Sequence, residues 1–252
     1  MGQQKGIFKI TGTIGDVTFY KSKNGYLVRE KGGIDAKRLA TDPAFQRTRE
    51  NGMEFGRAGK AGKTLRAAMR QMLTNVRSAN MTARLTRLMI KVIQADAVNP
   101  RGLRNVIDGE AELLAGFEFN SAGTLSTTLH APYTAEINRV TGKLTVEIPS
   151  FIPADMITAP PGTTHYKIIS GGALVDFEAE AYENGLEATA VLPYDAVATT
   201  AISHEIALKP ASTNPLFLAL GMEFYQEVNG EMYALRNGSF NPLAMVGVNG
   251  GV

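Results

Sequence analysis

The chain has 252 residues but no cysteine, no tryptophan and only three histidines. The absence of cysteine excludes disulfide bonds, thiolate catalysis, and zinc or iron–sulfur sites that use cysteine ligands. No apolar run approaches the roughly 18 residues that a membrane-spanning helix needs. The N-terminal residues are polar and lack the apolar stretch of a secretory signal peptide. We therefore expect synthesis in a cytoplasm without a signal peptide, and no membrane span.

Charge is plentiful, but it is unevenly distributed. The 26 basic and 24 acidic side chains leave a net charge of only +2. Residues 1–35 carry a net charge of +3, residues 36–104 carry +11, and residues 105–252 carry −12. We predict three regions with these boundaries: an N-terminal β-hairpin at 1–35, a basic helical region at 36–104 and an acidic β-domain at 105–252. A chain so strongly divided in charge is suited to a charged partner.

The N-terminal region has the pattern of a β-hairpin. Residues 17–20 alternate in side-chain type, as a strand with two different faces does. A second strand-like stretch at 26–30 follows Asn24 and Gly25, and Asn-Gly is a strong hairpin signal because both residues tolerate a positive φ. A hairpin of this size is only marginally stable in water by itself, so we expect it to pack on a partner.

The basic region has the pattern of two helices. Asp42 followed by Pro43 is a typical start, because aspartate caps the first turn and proline is tolerated at the first helical position. Apolar residues recur at helical spacing to about residue 76, although glycines at 52, 56, 59 and 62 weaken the prediction of one continuous helix. Asn80 precedes a second helix with an apolar stripe that consists of Leu85, Leu88, Met89, Val92 and Ile93.

The acidic region predicts many short strands. Leu144, Val146 and Ile148 alternate with polar residues, and turn signals such as Asn229-Gly230 recur between short apolar stretches. This succession is typical of a β-sandwich. The predicted fold class is therefore α+β: an N-terminal β-hairpin, a central basic helical segment and a C-terminal antiparallel β-sandwich of the immunoglobulin-like kind.

Each predicted helix of the basic region carries a charged face, because spacings of three and four residues place side chains on one side of a helix. The candidate contact residues are Lys60, Lys63, Arg66 and Arg70 on the first helix, and Arg84, Arg87 and Lys91 on the second. Such stripes neutralise nucleic-acid phosphates, form a solvated surface, or pair with an acidic protein surface of the same or a neighbouring chain. We favour the acidic protein surface, because the whole chain is nearly neutral and no established DNA-binding motif accompanies the stripes.

The acidic domain contains a matching candidate surface. Asp176, Glu178 and Glu180 alternate with apolar residues, so on a strand all three carboxylates project from one face. A row of carboxylates can bind Ca²⁺ or take part in acid–base catalysis. Calcium sites also use loop carbonyls and a glycine-defined turn, which this stretch lacks, so we prefer a solvated or partner-facing surface.

No motif predicts catalysis, a metal or a cofactor. Residues 59–64 resemble a phosphate-binding loop, but Arg57 occupies the position of the first glycine and no strand leads into the loop. His130, His165 and His204 are far apart and lack metal-ligand spacing. We therefore predict that the protein is not an enzyme and that it has no catalytic residues, no metal site and no cofactor.

Several phrases of the sequence carry a resemblance. They are Val-Thr-Phe-Tyr at 17–20, Asp-Pro at 42–43 with Gln-Arg-Thr-Arg-Glu at 46–50, Gly-Met-Glu-Phe-Tyr-Gln at 221–226 and Gly-Ser-Phe-Asn-Pro at 238–242. In these phrases the chain is similar to uncharacterised bacterial families of unknown function. The families have an N-terminal Gly-rich hairpin, basic helices and an immunoglobulin-like C-terminal domain. The resemblance implies this layout and assigns no site residues.

Together these features favour a structural protein that assembles with other copies of itself, as a filament, a shell or a phage-like particle. A basic region that meets the acidic domain of the next subunit makes a heterologous contact, which generates rings or open filaments. The hairpin at Asn24 and Gly25 is compatible with strand addition to a partner sheet. The alternative function is nucleic-acid binding by the basic helices.

Overall fold

The structure, a computed structural model, describes residues 2–30 and 33–251, without the side chains of residues 236 and 237. Helices and several antiparallel sheets are both present, which confirms the predicted α+β class, whereas an immunoglobulin-like sandwich is not confirmed. The chain forms two compact units, Met1–Arg49 and Glu50–Val252. The predicted boundaries at residues 35 and 104 rest on the distribution of charge along the sequence.

The first unit contains a four-stranded antiparallel sheet in the order β1-β4-β3-β2. The helix α1 and a 3₁₀ turn follow the sheet. The side chain of Asp35 caps α1 by accepting a hydrogen bond from the backbone N–H of Lys37, and Asp42 caps the 3₁₀ turn through Ala44 N. The bounds of the elements are β1 Gly2–Gln3, β2 Gly12–Ile14, β3 Val17–Ser22, β4 Gly25–Glu30, α1 Ala36–Thr41 and the 3₁₀ turn Pro43–Phe45.

The predicted hairpin is formed by β3 and β4, but its turn differs from the prediction. Ser22 pairs with Gly25, so Lys23 and Asn24 form the two-residue loop and Gly25 is the first residue of β4. Gly25 has φ of 102°, a value that glycine adopts without strain. A second hairpin, whose strands are residues 216–228 and 231–234, does follow the Asn-Gly rule. Its turn residues, 229 and 230, both have a positive φ.

The second unit begins within a long helix. This helix, α2, is continuous despite its four glycines and ends at Ala68, because the backbone of the next residue, Met69, leaves the helical region at φ −91° and ψ 13°. The predicted apolar stripe of the next long helix, α4, is present, with Leu85, Met89, Val92 and Ile93 all buried. The helices are α2 Gln46–Ala68, α3 Arg70–Leu73, α4 Met81–Gln94, α5 Leu125–Thr128 and α6 Pro153–Met156, with 3₁₀ turns at Ala111–Leu114 and Leu235–Gly238.

The strands of the second unit form two antiparallel sheets. The smaller sheet has the order β10-β6-β5, and the larger sheet has the order β12-β11-β7-β8, with β13 also paired to β11 and β9 to β7. The strands are β5 Thr134–Asn138, β6 Lys143–Ile148, β7 His165–Asp176, β8 Ala181–Ala188, β9 Leu192–Pro193, β10 Ile202–Ala207, β11 Leu216–Val228, β12 Glu231–Ala234 and β13 Leu243–Asn249.

The central strands β7 and β11 of the larger sheet are largely buried on both faces, which gives the second unit three layers. One face packs on the smaller sheet through a core that includes Leu144, Ile168 and Leu218. The other face packs on the helices through a second core. Because both faces are covered, β7 and β11 are almost continuously buried and do not alternate.

Small residues in the middle of β7 allow both neighbouring layers to approach the strand. A Cβ atom added to Gly171 would lie 2.1 Å from Sδ of Met72 on the helical side. A Cβ atom added to Gly172 would lie 3.0 Å from Cδ2 of Leu144 on the side of the smaller sheet. The two glycines therefore set the spacing of all three layers.

Candidate functional surfaces

Many of the basic side chains between residues 36 and 104 are satisfied inside the chain. Nη1 of Arg57 donates to the carbonyl oxygen of Arg104 at 2.9 Å, and Nη1 of Arg49 donates to the carbonyl oxygens of Leu39 and Asp42, both at 2.9 Å. Part of the positive charge of this region therefore stabilises the fold. Fewer of its cations are left to contact a partner.

Arg84 is one of the cations that the fold uses. Its Nη1 donates to the carbonyl oxygen of Glu118 at 2.6 Å, and its Nη2 donates to that of Phe119 at 2.9 Å. Its guanidinium carbon lies 5.2 Å from the centre of the Phe117 ring, within the range of a cation–π contact. Arg84 is half-buried, whereas Arg87 and Lys91 of the same predicted stripe are exposed. The structure thus does not bring Arg84 onto the surface that Arg87 and Lys91 share.

Two buried carboxylates on α2, which the sequence analysis did not identify, bind the loop after α4. Oε2 of Glu50 lies 3.8 Å from Nε of Arg101, and Oε1 of Glu54 lies 3.9 Å from Nε of Arg104. Oε1 of Glu54 also accepts a hydrogen bond from the backbone N–H of Gly102 at 3.0 Å. Their spacing of four residues on α2 was visible in the sequence, but the loop that they meet was not.

Asp96 organises the same loop from the end of α4. Its carboxylate accepts hydrogen bonds from the backbone N–H groups of Val98, Asn99 and Asn105, at 2.8 to 3.0 Å. Burial raises the pKa of Asp96, but these hydrogen bonds outweigh it, so the pKa lies below its usual value. The carboxylate is therefore a loop anchor that stays ionised.

Lys60 forms an ion pair within the chain, with a residue of the predicted acidic surface. Its Nζ lies 2.8 Å from Oε1 of Glu180, and both side chains are largely exposed. The hydrogen bond to Lys60 is the main reason that the pKa of Glu180 is lowered, and the charge of Lys63 contributes. An ion pair between the basic helix and the acidic domain therefore forms inside a single molecule.

The prediction that Asp176, Glu178 and Glu180 project from one strand face is wrong. Strand β7 ends at Asp176, and residues 177–180 form the turn that leads into β8. The physical reason is that Oδ1 of Asp176 accepts hydrogen bonds from the backbone N–H groups of Glu178 and Ala179, which stabilises a turn against a strand. Glu180 ends this turn with φ of 53°.

Three further cations of α2 and α3 line an open groove of about 350 Å³. Lys63, Arg66 and Arg70 supply its charge, and none of the described residues that line it is acidic. Nε of Arg66 donates to the carbonyl oxygen of Gly62 at 3.2 Å, which orients the guanidinium along the helix. Thr74 of the groove also lines a neighbouring recess, which contains both Arg77 and Glu223. We call Lys63, Arg66 and Arg70 the basic groove.

The three histidines do not come together, but His204 forms a buried pair that the sequence analysis missed. Its Nδ1 lies 2.8 Å from Oγ of Ser170, between the two sheets. Burial lowers the pKa of His204, which keeps the imidazole neutral. A serine beside a histidine is the start of a nucleophilic dyad, but both side chains are buried and closed to a substrate. The pair acts as a hydrogen bond of the core.

A second buried polar cluster joins the segment after α3 to β11. Oε1 of Glu223 accepts a hydrogen bond from Nδ2 of Asn75 at 2.7 Å, and Oε2 accepts one from the hydroxyl of Tyr225. Burial and the neighbouring carboxylate together raise the pKa of Tyr225. Nδ2 of Asn241 donates to the carbonyl oxygen of Asn75 at 2.9 Å and completes the cluster. Each of these polar groups has a partner, so the cluster stabilises the fold.

The outer face of the smaller sheet is acidic. Glu136, Glu147 and Glu205 alternate with inward-facing apolar residues on the three strands and are exposed. Nζ of Lys143 lies 2.8 Å from Oε1 of Glu205, which leaves the face with an excess of negative charge. Beside Glu147 lies an open groove of about 410 Å³, lined mainly by apolar surface that includes Tyr133.

The first unit has no buried core. None of its described residues, 2–30 and 33–49, is buried, including Asn24 and Gly25 of the hairpin. The side chains of Ile7 and Phe8 are 96% and 87% exposed, and that of Ile14 is 61% exposed. A four-stranded sheet with no buried side chain gains little from the hydrophobic effect.

No helix in the described part of the chain combines the length and the apolar character needed to cross a bilayer. Within residues 2–30 and 33–251, no three histidine, aspartate or glutamate side chains are grouped so that they could hold a metal ion. The sequence matches no protein-family model and no curated protein.

Proposed function

We propose that this protein is a non-enzymatic structural building block that assembles with copies of itself, and that its N-terminal unit makes the contact. One observation carries the proposal: the first unit folds into a sheet without burying a single described side chain. An assembly contact supplies the buried apolar surface that this unit lacks.

The size of the unit supports this argument. A unit of 49 residues is small enough to be only marginally stable by itself, and the chain has no cysteine for a disulfide. The apolar side chains that would form a core, such as those of the consecutive residues Ile7 and Phe8, are exposed at the surface. Burying one large apolar side chain is worth about 1.5–3 kcal/mol. A few such contacts with a partner are therefore enough to stabilise the sheet.

Charge supports a second copy of the chain as the partner. Lys5 and Lys9 flank Ile7 and Phe8, so the exposed apolar segment is also basic. The outer face of the smaller sheet, at Glu136 and Glu147, is acidic and adjoins an apolar groove. A contact between two different surfaces of identical chains is heterologous and produces a ring or an open filament. We include in the proposal that residues 105–252 act as an immunoglobulin-like module, supported by two sheets packed around one core.

The test is the mass of the full-length protein in solution, measured by light scattering and sedimentation at low salt over a range of concentrations. We expect species larger than one chain, and we expect the double variant Ile7→Asp, Phe8→Asp to be monomeric. The matched control is Val98→Asp, Val140→Asp, which changes two side chains of the second unit that are 77% and 79% exposed. A wild-type protein that stays monomeric at high concentration contradicts the proposal, as does a control that dissociates equally.

A further inference from the structure

We propose that the basic groove of Lys63, Arg66 and Arg70 is a binding site for the phosphate groups of a nucleic-acid backbone. This site is independent of the assembly contact, because it lies on the helices of the second unit and uses none of the residues of the first. Three cations converge on one groove of about 350 Å³, and none of its described lining residues is acidic.

The internal contacts of the fold single out these cations. Arg57 and Lys60 on α2, and Arg84 on α4, are held by carbonyl oxygens or by a carboxylate of the chain. Lys63 and Arg70 are exposed, and neither belongs to an ion pair among the described residues. Cations grouped in this way give the groove a positive potential, which attracts anions from outside.

The form of the groove favours phosphate over a protein carboxylate. Arginine guanidinium groups bind phosphate in a bidentate manner, and lysine binds it as a point charge. The acidic side chains of the second copy that remain available, such as Glu136 and Glu147, project from a sheet face, which does not enter a groove. A sugar–phosphate strand is narrow and presents its charges in a line. Lys63 and Arg66 stand three residues apart on α2, and a helix rises about 4.5 Å over that distance.

The groove fits the backbone and not the bases. Its other walls include Leu73 and Met81, and its described lining residues contain no aromatic ring on which a base would stack. Contacts to phosphate alone carry no sequence information. The inferred ligand is therefore any nucleic acid with an accessible backbone, bound without sequence preference.

The experiment measures the binding of duplex DNA and of single-stranded RNA by fluorescence anisotropy at several salt concentrations. The logarithm of affinity falls with the logarithm of salt with a slope of about −0.9 per neutralised phosphate, so three contacts weaken duplex binding about 40-fold between 50 and 200 mM salt. We expect the triple variant Lys63→Gln, Arg66→Gln, Arg70→Gln to bind far more weakly and to lose this part of the salt slope. The single variant Arg70→Gln should reduce the slope by about one third, which tests the site without multiple changes.

The control has the same loss of charge elsewhere on exposed side chains: Lys23→Gln, Lys37→Gln, Lys209→Gln. We expect it to keep nearly all of the affinity. Absence of salt-dependent binding by the wild type overturns the proposal, and so does equal weakening in the control. A triple variant that keeps its nucleic-acid affinity but no longer assembles shows that the groove binds an acidic protein surface instead. Because the assembly test changes residues 7 and 8 and this test changes residues 63, 66 and 70, the two proposals fail separately.

Discussion

Replacing Arg84 by methionine should destabilise the second unit strongly, although a sequence pattern places this residue on an exposed basic face. Methionine keeps an apolar stem but removes every donor, so the carbonyl oxygens of Glu118 and Phe119 lose their charged partner. Each hydrogen bond to a charged group contributes about 1.5–3 kcal/mol to stability. The contact with Phe117 adds about 0.5–1 kcal/mol.

Arg84 is only half-buried, so we count the two hydrogen bonds alone, at the low end of their range, and expect a loss of about 3 kcal/mol. For a unit of about 200 residues, each kcal/mol lowers Tm by about 2–4 °C, which predicts a decrease of about 6–12 °C. The assay is urea unfolding followed by circular dichroism, with thermal melting as a second measurement. The matched control is Arg87→Met, one turn nearer the end of α4 and exposed, which should change stability by less than about 0.5 kcal/mol. Equal effects of the two substitutions would refute the assignment of Arg84 to the fold.

Three further predictions concern the core. Gly171→Ala should cost about 1–3 kcal/mol because the added Cβ meets Met72, and combining it with Met72→Ala should cost clearly less than the sum of the single changes in a double-mutant cycle. The lowered pKa of His204 predicts that stability declines as the pH falls below the unfolded-state value of about 6.5, by at most about 1.4 kcal/mol per pH unit, because the unfolded chain then binds a proton that the fold excludes. His204→Asn should flatten that part of the stability–pH curve, and an unchanged curve would contradict the reasoning. Tyr166→Phe should be neutral or stabilising in denaturant unfolding, because the buried hydroxyl of Tyr166 has no partner in the described part of the chain.

The sequence predicted best those elements with one face in the core and one in solvent. Leu144, Val146 and Ile148 alternate along β6 and are all buried, because this strand lies in the outermost layer. The rule that apolar and polar residues alternate along a strand failed for β7, because helices cover its second face and both faces are buried. The predicted strand at residues 175–180 was wrong beyond Asp176, because the hydrogen bonds that the Asp176 carboxylate accepts from the next backbone N–H groups compete with strand geometry.

The candidate surfaces were predictable to a smaller extent, because helical spacing shows which side chains share a face but not what lies opposite that face. Arg84 has the spacing of a surface stripe, yet it donates hydrogen bonds to carbonyl groups 34 and 35 residues away and so stabilises the fold. His204 and Ser170 are also 34 residues apart, and only the packing of two sheets brings them together. Lys60 and Glu180 show that the predicted attraction between opposite charges is real, but that part of it acts within one molecule.

The most direct test of the account is amide hydrogen exchange of β3 and β4 in the full-length protein at low and high concentration. Exchange of these amides reports on a sheet whose described side chains are all at least partly exposed. We predict fast exchange at low concentration, strong protection at high concentration, and no such change in the variant Ile7→Asp, Phe8→Asp. Slow exchange that is the same at both concentrations, in a protein that sedimentation shows to be a monomer, would contradict the claim that the N-terminal unit is completed by a second copy.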